Sequence, residues 1–352
     1  MELKINMLNV KDGDAIIIEL IKSDDVIIMV IDGGEKNYYL TKVKPKLESI
    51  LEKHSKKAPD VVVCSHYDSD HIGGLIPLIE DYIKHIKQVW VHSSTDALEG
   101  LFEQMENLNN HNLKHIKSKE IINFETVLLN ESLCTGQEVN EKKDFVLESL
   151  NQLKQLIKLI PQSKLRQVFH KQKPLAAWPE IQILGPTRNY FNSLFPKKKE
   201  LKSLILEELE VGKQMVQSEE AKRNIELSIS NPCDKLKDDS KAKITATNKA
   251  SIIIAIDNKN GRYLFTGDAG LESFKKIPDW ENELNNLYFL KVPHHGSNNN
   301  MSKEMAQKMN PNYAYCSGDT FQDDEVIDCL ALKTKDKRIR TTKRDGDLFF
   351  DQ

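Results

Sequence analysis

The chain has 352 residues, 29% of them charged, and a formal net charge of -3 at pH 7. This length can fill one large domain or two modest ones, and the charge balance provides no overall basic field that would attract nucleic acid. No apolar run reaches the roughly 18 residues of a membrane span, and the first residues lack the apolar core of a signal peptide, so we expect a cytoplasmic protein without membrane contact. The five cysteines have no CxxC spacing, and we expect reduced, buried thiols.

The first quarter of the chain predicts short strands interrupted by two helices. In chain order, the apolar spacing predicts strands at 2–10, 15–21, 26–31, 60–64 and 87–91, and helices over 38–55 and 73–84. The early strands form a meander, and the strand at 60–64 is short and continuously apolar, which is typical of a buried strand.

The middle of the chain is more polar and predicts helices. Residues 94–175 and 197–228 are rich in Leu, Lys, Glu, Gln and Asn, and a strand at 181–186 separates them. The segment 231–246 predicts a mobile surface loop. The last third predicts a hairpin at 250–257 and 261–265, strands at 287–292 and 312–316, and helices at 302–309 and 323–332. We therefore expect one α/β domain over 1–352, with a core of 1–92 and 180–352 and helical insertions at about 94–175 and 197–246.

Four side chains that can bind metal lie within six residues of one another: His66, Asp68, Asp70 and His71. They follow the apolar run 61–64 directly, and a loop after a buried strand opens at the carboxyl edge of a sheet, where α/β proteins commonly place their chemistry. Two imidazoles and two carboxylates on one tight loop suit one or two hard or borderline divalent cations. Taken alone, the same motif is also compatible with a solvated turn.

Two later loops repeat this arrangement of an apolar run that ends in potential ligands. Asp268 lies in a Thr-Gly-Asp turn after the predicted hairpin, and His294 and His295 follow the apolar run 287–290. Three such loops in one chain favour a metal site over three unrelated turns.

The motifs HxDxDH-x-GG, TGD and PHHGS, in this order, resemble the metallo-β-lactamase fold. More narrowly, they resemble its ComEC-like competence-protein branch, here without a membrane channel, and the opening segment with Asp14 and the Asp32-Gly33-Gly34 turn is similar to that branch as well. The resemblance covers about residues 1–92 and 245–350. It implies an αββα sandwich with a largely helical insertion and one binuclear site between the edges of two sheets.

The resemblance also implies a ligand set. It assigns a first metal to His66 and Asp68, a second to Asp70 and His71, and the bridging carboxylate to Asp268.

The late ligand comes from the pair His294 and His295, and the sequence does not decide which of the two binds metal. Asp32 matches a family aspartate that supports the metal loop, although a simple turn residue before two glycines would have the same appearance.

Two departures from the family pattern affect the metal. Asp68 stands where histidine is commoner, and this oxygen ligand makes manganese or magnesium plausible beside zinc. We expect two divalent ions, zinc or manganese. The usual third-motif histidine has no clear match: His92 is the best-placed candidate but is favoured as a strand-end residue. The remaining histidines of the middle segment are expected at the surface: His111, His115 and His170.

We therefore expect a metal-dependent hydrolase, a phosphodiesterase or nuclease that uses a metal-bridged hydroxide. Asp70 or Asp268 would orient the hydroxide, and whichever of His294 and His295 is off the metal would protonate a leaving oxygen. Ser297 is left open between binding a phosphate oxygen and capping the helix at 302–309.

Two alternatives remain. One is a small-molecule phosphoester, thioester or lactam hydrolase, and the other is a non-catalytic metal-binding partner subunit. Nucleic acid or another phosphodiester is the expected substrate. The helical insertion is expected to set substrate choice or to bind a partner protein, with Lys197 to Lys199 on a solvated face or in contact with phosphate.

Overall fold

The computed structural model describes residues 1–23, 25–93, 96–112, 119–132, 134–223, 231–236 and 243–351. Of these, residues 109–112, 119–125 and 214–223 are described by their backbone alone.

The strands are short and are numbered in chain order. They are β1 (Glu2–Met7), β2 (Ile16–Lys22), β3 (Asp25–Ile31), β4 (Val61–Val63), β5 (Gln88–Trp90), β6 (Leu165–Arg166), β7 (Ile181–Gly185), β8 (Ile253–Asn258), β9 (Gly261–Phe265), β10 (Phe289–Lys291), β11 (Tyr313–Cys316), β12 (Arg340–Thr341) and β13 (Leu348–Asp351).

The α-helices divide into long helices of the middle segment and short helices elsewhere. They are α1 (Lys44–Lys53), α2 (Ser69–Ile72), α3 (Leu75–Tyr82), α4 (Asp96–Asn112), α5 (Lys119–Ser132), α6 (Gly136–Leu159), α7 (Arg188–Leu194), α8 (Leu201–Arg223), α9 (Ala246–Lys249), α10 (Leu271–Lys275), α11 (Trp280–Glu283), α12 (Lys303–Met309), α13 (Asp324–Ala331) and α14 (Thr342–Asp345). Among the described residues, no helix combines the length and the apolar character that crossing a membrane requires.

Within the described residues the strands form two mixed sheets. The first has the order β13-β1-β2-β3-β4-β5-β6, and the second has the order β12-β11-β10-β9-β8-β7. In the first sheet β3, β4 and β5 run parallel, and in the second β9, β10 and β11 run parallel. The prediction of an α/β fold is confirmed. The carboxyl ends of these parallel strands are the positions from which the motif loops emerge.

The two sheets face each other across one apolar cluster. In β2, Ile16 and Ile18 point into this cluster, whereas Ile17 belongs to a different cluster on the opposite face. Side chains alternate along a strand, so a strand that is apolar on both faces must be covered on both. The second sheet contributes Phe265 and Phe289 to the shared cluster.

Helices cover the outer faces of both sheets. Apolar residues of α3, α6 and α8 pack against the outer face of the first sheet, and those of α10, α12 and α13 pack against the outer face of the second. The long helices of the middle segment therefore belong to the same apolar core as the first sheet. Helix α6 also packs directly against α2, which carries the end of the HxDxDH motif.

The predicted strand positions agree with the observed strands to within a few residues, apart from β6, β12 and β13, which were not predicted. The predicted helix at 38–55 is α1, preceded by a 3-10 turn at Lys36–Tyr38 and a π-helical turn at Tyr39–Val43.

The prediction of a mobile loop over 231–246 is wrong for the part that the structure describes. Residues Pro232–Lys235 form a 3-10 helix, and Cys233 is joined by a buried disulfide to Cys329 on α13. The expectation of reduced thiols is therefore wrong for these two cysteines, while Cys64, Cys134 and Cys316 are free and Cys64 is buried, as expected. Sequence spacing could not reveal the bond because its two cysteines lie 96 residues apart.

Candidate metal centre

The motif loops converge because they leave the carboxyl ends of parallel strands. Asp32 directly follows β3 and the HxDxDH loop follows β4, while Asp268 follows β9 and the histidine pair follows β10. The loops that follow β3 and β4 in the first sheet also meet backbone to backbone. A Cβ on Gly74 would lie 2.0 Å from the carbonyl oxygen of Gly33, so glycine at that position lets the two turns meet.

One carboxylate oxygen, Asp268 Oδ2, lies at the centre of the cluster. Four imidazole Nε2 atoms surround it at 3.8, 3.4, 3.7 and 3.5 Å, from His66, His71, His294 and His295 respectively. These separations are longer than a hydrogen bond, so the imidazoles face the oxygen without bonding to it. The structure thus brings together residues that are more than 200 positions apart in the chain.

The Nδ1 atoms of the two early histidines are anchored away from this centre. His71 Nδ1 donates to Asp32 Oδ2 at 2.9 Å. Ser65 Oγ donates to Asp32 Oδ2 at 2.5 Å and therefore has a lone pair that accepts from His66 Nδ1 at 2.9 Å. Asp32 also accepts from the Ser65 backbone N–H at 2.7 Å. The aspartate thus lies under the metal loop and orients both rings, the position that the resemblance implies for it.

The Nδ1 atoms of the two late histidines are anchored in the same way. Asn300 Nδ2 donates to two backbone carbonyls, which turns its Oδ1 toward His294 Nδ1 at 2.8 Å. Ser317 Oγ donates to Asp14 and lies 3.2 Å from His295 Nδ1, from which it accepts. The hydrogen-bond chain from Asp14 through Ser317 to His295 therefore repeats the chain from Asp32 through Ser65 to His66.

This network places one proton of each ring on Nδ1, so a neutral ring has its lone pair on Nε2, where a metal or a second proton would bind. The Nε2 atoms of His66, His71 and His295 are buried and have no hydrogen-bond partner among the described residues. Lone pairs that face an anionic oxygen repel it unless a cation lies between them. Two donors that are each about 2.1 Å from a tetrahedral cation lie about 3.4 Å apart, close to the separations observed here. The donor set therefore fits divalent metal ions.

The two other carboxylates of the metal loop flank the centre on separate sides. Asp68 Oδ2 lies 3.6 Å from His66 Nε2. Asp70 Oδ2 lies 3.7 Å from His71 Nε2 and 3.9 Å from His295 Nε2. The ligand atoms of Asp70, His71 and His295 all lie within 4.8 Å of one another and form one potential metal group. His295 is thus the late histidine that joins the second pair.

His294 differs from His295 in its surroundings. Its Nε2 lies 3.4 Å from Asn248 Nδ2, and its side chain is 10% exposed, whereas His295 is fully buried. Its ring stacks on Phe321 with a centroid separation of 5.2 Å. It therefore lies at the rim of the cluster.

Two members of the site were not identified from the sequence. Lys291, the last residue of β10, is fully buried, and its ammonium lies 2.5 Å from Asp14 Oδ2 and 3.5 Å from Asp268 Oδ1. A lysine within the apolar run 287–292 was the available signal, because lysine is almost never fully buried unless it is paired. For Asp14, the only signal in the sequence was its position in an opening segment that resembles that of the family.

The ionisable groups perturb one another strongly. Burial alone would raise the pKa of Asp268, but the imidazoles of His71 and His295 hold it well below its usual range. Burial alone would lower the pKa of His71, but Asp268 and Asp70 raise it well above the ordinary value. Burial, reinforced by neighbouring carboxylates, raises the pKa of Asp70 to about 7. Shifts of opposite sign in one enclosed cluster are typical of functional sites.

The other sequence candidates lie outside the cluster. His92 is buried between Phe169 and Phe191, its Nε2 donates to the Val168 carbonyl at 2.8 Å, and burial lowers its pKa to about 4. It is a core histidine beyond a strand end and supplies no third-motif ligand.

The remaining polar candidates have structural partners. His170 is half-buried and donates to the Leu184 carbonyl, and it lies in a turn instead of the expected helix. Ser302, not Ser297, caps α12 by accepting from the Met305 N–H, so the capping alternative for Ser297 is wrong. His115 and the side chain of His111 lie outside the described residues.

The middle segment and the metal loop line a common cavity. This cavity is small, and its wall includes Tyr67 and Asp68 of the loop, Ser149 on α6 and Glu208 on α8. The hydroxyls of Tyr67 and Ser149 are buried and have no hydrogen-bond partner among the described residues, and burial raises the pKa of Glu208 to about 8. The helical insertion therefore forms part of the wall around the candidate centre.

A scan against protein-family models finds no match to this chain, and a search of curated proteins finds none either. The chemistry of the site must therefore be inferred from its own donors.

Proposed function

We propose that the chain is a binuclear metal-dependent hydrolase of the metallo-β-lactamase type, with a helix-sheet-sheet-helix core, and that it cleaves phosphodiesters. The observation that carries this proposal is the convergence of four imidazole Nε2 atoms on Asp268 Oδ2 at 3.4 to 3.8 Å. Resemblance to the ComEC-like branch supports the phosphodiester as substrate.

The charge of the site supports two divalent cations. Its charged groups are five carboxylates and one ammonium, those of Asp14, Asp32, Asp68, Asp70, Asp268 and Lys291, and all are buried except that of Asp70, which is partly exposed. In the protonation states that bind metal, with ionised carboxylates and neutral histidines, they sum to -4, and uncompensated charge of this size is costly in a protein interior. Two divalent cations neutralise it, whereas one leaves a charge of -2.

The donor geometry divides the ligands between the two cations. His66 and Asp68 would hold the first, Asp70, His71 and His295 would hold the second, and Asp268 would serve both. This division gives the first cation fewer protein ligands than the second, so the first cation should dissociate more readily. Cations bound to these donors supply Lewis acidity, which lowers the pKa of water and stabilises negative charge on an attacked phosphorus centre.

The chain's own residues supply positioning and proton transfer. Asn300 fixes the ring of His294 through Nδ1, so the exchangeable position is Nε2, at the rim of the cluster. We assign His295 to metal binding. We assign to His294, with its ring protonated at both nitrogens, the donation of the Nε2 proton to a leaving oxygen. Asp70, whose side chain is 17% exposed, lies at the open side of the second group and is placed to accept a hydrogen bond from an incoming water.

A small phosphodiester is a second candidate substrate beside nucleic acid. The donors are nearly enclosed, and the small cavity next to Asp68 has a mostly apolar wall that includes Glu208. Two of the lysines considered as phosphate contacts are paired within the fold: Lys197 with Asp96 and Lys199 with Glu207. An enclosed site favours a compact substrate over a long polymer. A non-catalytic subunit is disfavoured because every motif loop except the third supplies its donors.

A metal-by-substrate matrix tests this function. Protein loaded with Mn²⁺, Mg²⁺ or Zn²⁺ is incubated with single- and double-stranded DNA, RNA and bis(p-nitrophenyl) phosphate. We expect hydrolysis of at least one substrate class that is abolished by chelator and by His295→Ala, but retained in His85→Ala, which removes an exposed histidine. Absence of hydrolysis by metal-loaded protein on every substrate, or equal hydrolysis by His295→Ala, would contradict the proposal.

A further inference from the structure

Lys291 is an unusual constituent of a metal centre. It is fully buried, and its Nζ is enclosed by three oxygens: Asp14 Oδ2 at 2.5 Å, the Gly267 carbonyl at 3.0 Å and Asp268 Oδ1 at 3.5 Å. A buried ammonium persists only when it is paired and hydrogen-bonded, and here both conditions are met.

The two oxygens of Asp268 have different surroundings. Oδ2 faces the four imidazole Nε2 atoms, while Oδ1 faces Lys291. The backbone also fixes this residue, because Asp268 N–H donates to Ser251 Oγ at 3.1 Å, and Asn300 binds the Asp268 carbonyl at 2.9 Å. Partial rotation of the carboxylate would move Oδ1 away from the ammonium, and Lys291 opposes it by attraction to Oδ1.

The Lys291 ammonium also lies beside Asp14, at a position that a cation could occupy. The ligand atoms of Asp14, His71 and Asp268 lie within 4.8 Å of one another, so these three residues could themselves hold a cation. The Lys291 ammonium lies between two of them and neutralises one carboxylate charge. It therefore occupies, as a fixed positive charge, a position where a further metal would otherwise be attracted.

We propose that Lys291 is a positioning residue whose ammonium holds Asp268 Oδ1, so that Oδ2 alone serves both cations, and that Asp14 is the counter-charge that keeps the ammonium in place. This inference rests on the proposed binuclear centre. It implies that Asp268 would offer Oδ2 to the cations, and that Lys291 sets the orientation of this carboxylate before any metal binds.

The test compares Mn²⁺-loaded wild type with the double variant Asp14→Asn/Lys291→Met, in which the pair is neutral and close to its original size. Lys291→Met alone leaves the Asp14 carboxylate buried without its partner, and it is expected to fold poorly. The matched control is Lys4→Met/Asp351→Asn, which makes the same two changes in an ion pair at the edge of the first sheet. The readouts are the electron paramagnetic resonance spectrum of the manganese pair and the two Mn²⁺ dissociation constants.

We expect the wild type and the control to share one exchange-coupled spectrum. In the Asp14→Asn/Lys291→Met variant the coupling should change, and the weaker site should lose about 10- to 100-fold in affinity, the usual effect of removing a partner of a metal ligand. An unchanged spectrum with both dissociation constants unchanged would overturn the role of Lys291. A wild-type protein that binds fewer than two Mn²⁺ ions would instead overturn the binuclear centre on which the inference rests.

Discussion

Metal ions should stabilise the folded chain measurably, and removing the shared ligand should abolish the effect. The donors of the proposed centre come from loops of both sheets, so unfolding separates them and releases the cations. One site at 100 times its dissociation constant contributes about 2.7 kcal/mol to the free energy of unfolding, and two sites contribute about 5.4 kcal/mol. The entropy of unfolding for 352 residues is about 0.74 kcal/mol/K, so the Tm should rise by about 7 °C.

Differential scanning fluorimetry of chelator-treated protein, with and without Mn²⁺ or Zn²⁺, measures this shift. In Asp268→Asn the metal-induced rise should fall below about 2 °C, because the substituted side chain loses the charge that both cations share. The control is Asp257→Asn, the same substitution on β8 at a carboxylate that pairs with Arg262 outside the centre. Its own Tm can change, but its metal-induced rise should remain about 7 °C. A rise of similar size in Asp268→Asn, or none in the wild type, would refute the reasoning.

Three further predictions concern metal identity, pH and the two late histidines. Asp68 supplies an oxygen ligand, so Mn²⁺ should support at least the turnover that Zn²⁺ supports in steady-state assays, and a strict zinc requirement would count against this argument. The pKa of Asp70 is raised to about 7 and that of His71 lies well above its ordinary value, so both protons compete with metal: Mn²⁺ affinity, measured by titration calorimetry, should rise at least about tenfold per pH unit up to about pH 7 and continue to rise above it. By the same linkage Asp70 should make the metal-free protein less stable as pH rises from about 4 to about 7, because the folded state retains a proton that the unfolded state has released; a flat profile in both measurements would exclude the raised pKa. His295→Ala should lose the second metal, whereas His294→Ala should keep both metals and lose about 10²–10⁴ in kcat; elemental analysis together with kcat distinguishes the two, and metal loss from His294→Ala would assign that residue to the first cation instead.

Local patterns were sufficient to locate the ligand types. His66, Asp68, Asp70 and His71 are recognisable because they are close in sequence and follow a short apolar run, and Asp268 because it ends a hairpin in a Thr-Gly-Asp turn. The structure brings these residues together, although neither the family models nor the curated proteins supply a function for them.

Local patterns were insufficient where a contact joins distant segments. Asp14 and Ser317 are 303 positions apart, yet their hydrogen bond orients His295. The disulfide between Cys233 and Cys329 turns a segment with the composition of a mobile loop into a fixed attachment to α13. Such contacts depend on which strands are neighbours, and strand order is not encoded in the periodicity of any one segment.

The sequence by itself determined the strand-forming runs, the α/β class and the chemical identity of the donors, because each depends on residue types within a few positions of one another. Only the tertiary structure decided which late histidine joins the second group and which nitrogen of each ring faces inward. It also decided that Lys291 enters the cluster and that the insertion forms part of its wall. Those properties are set by hydrogen bonds and charges between loops of two different sheets, and they exist only once the sheets have packed across their shared apolar core.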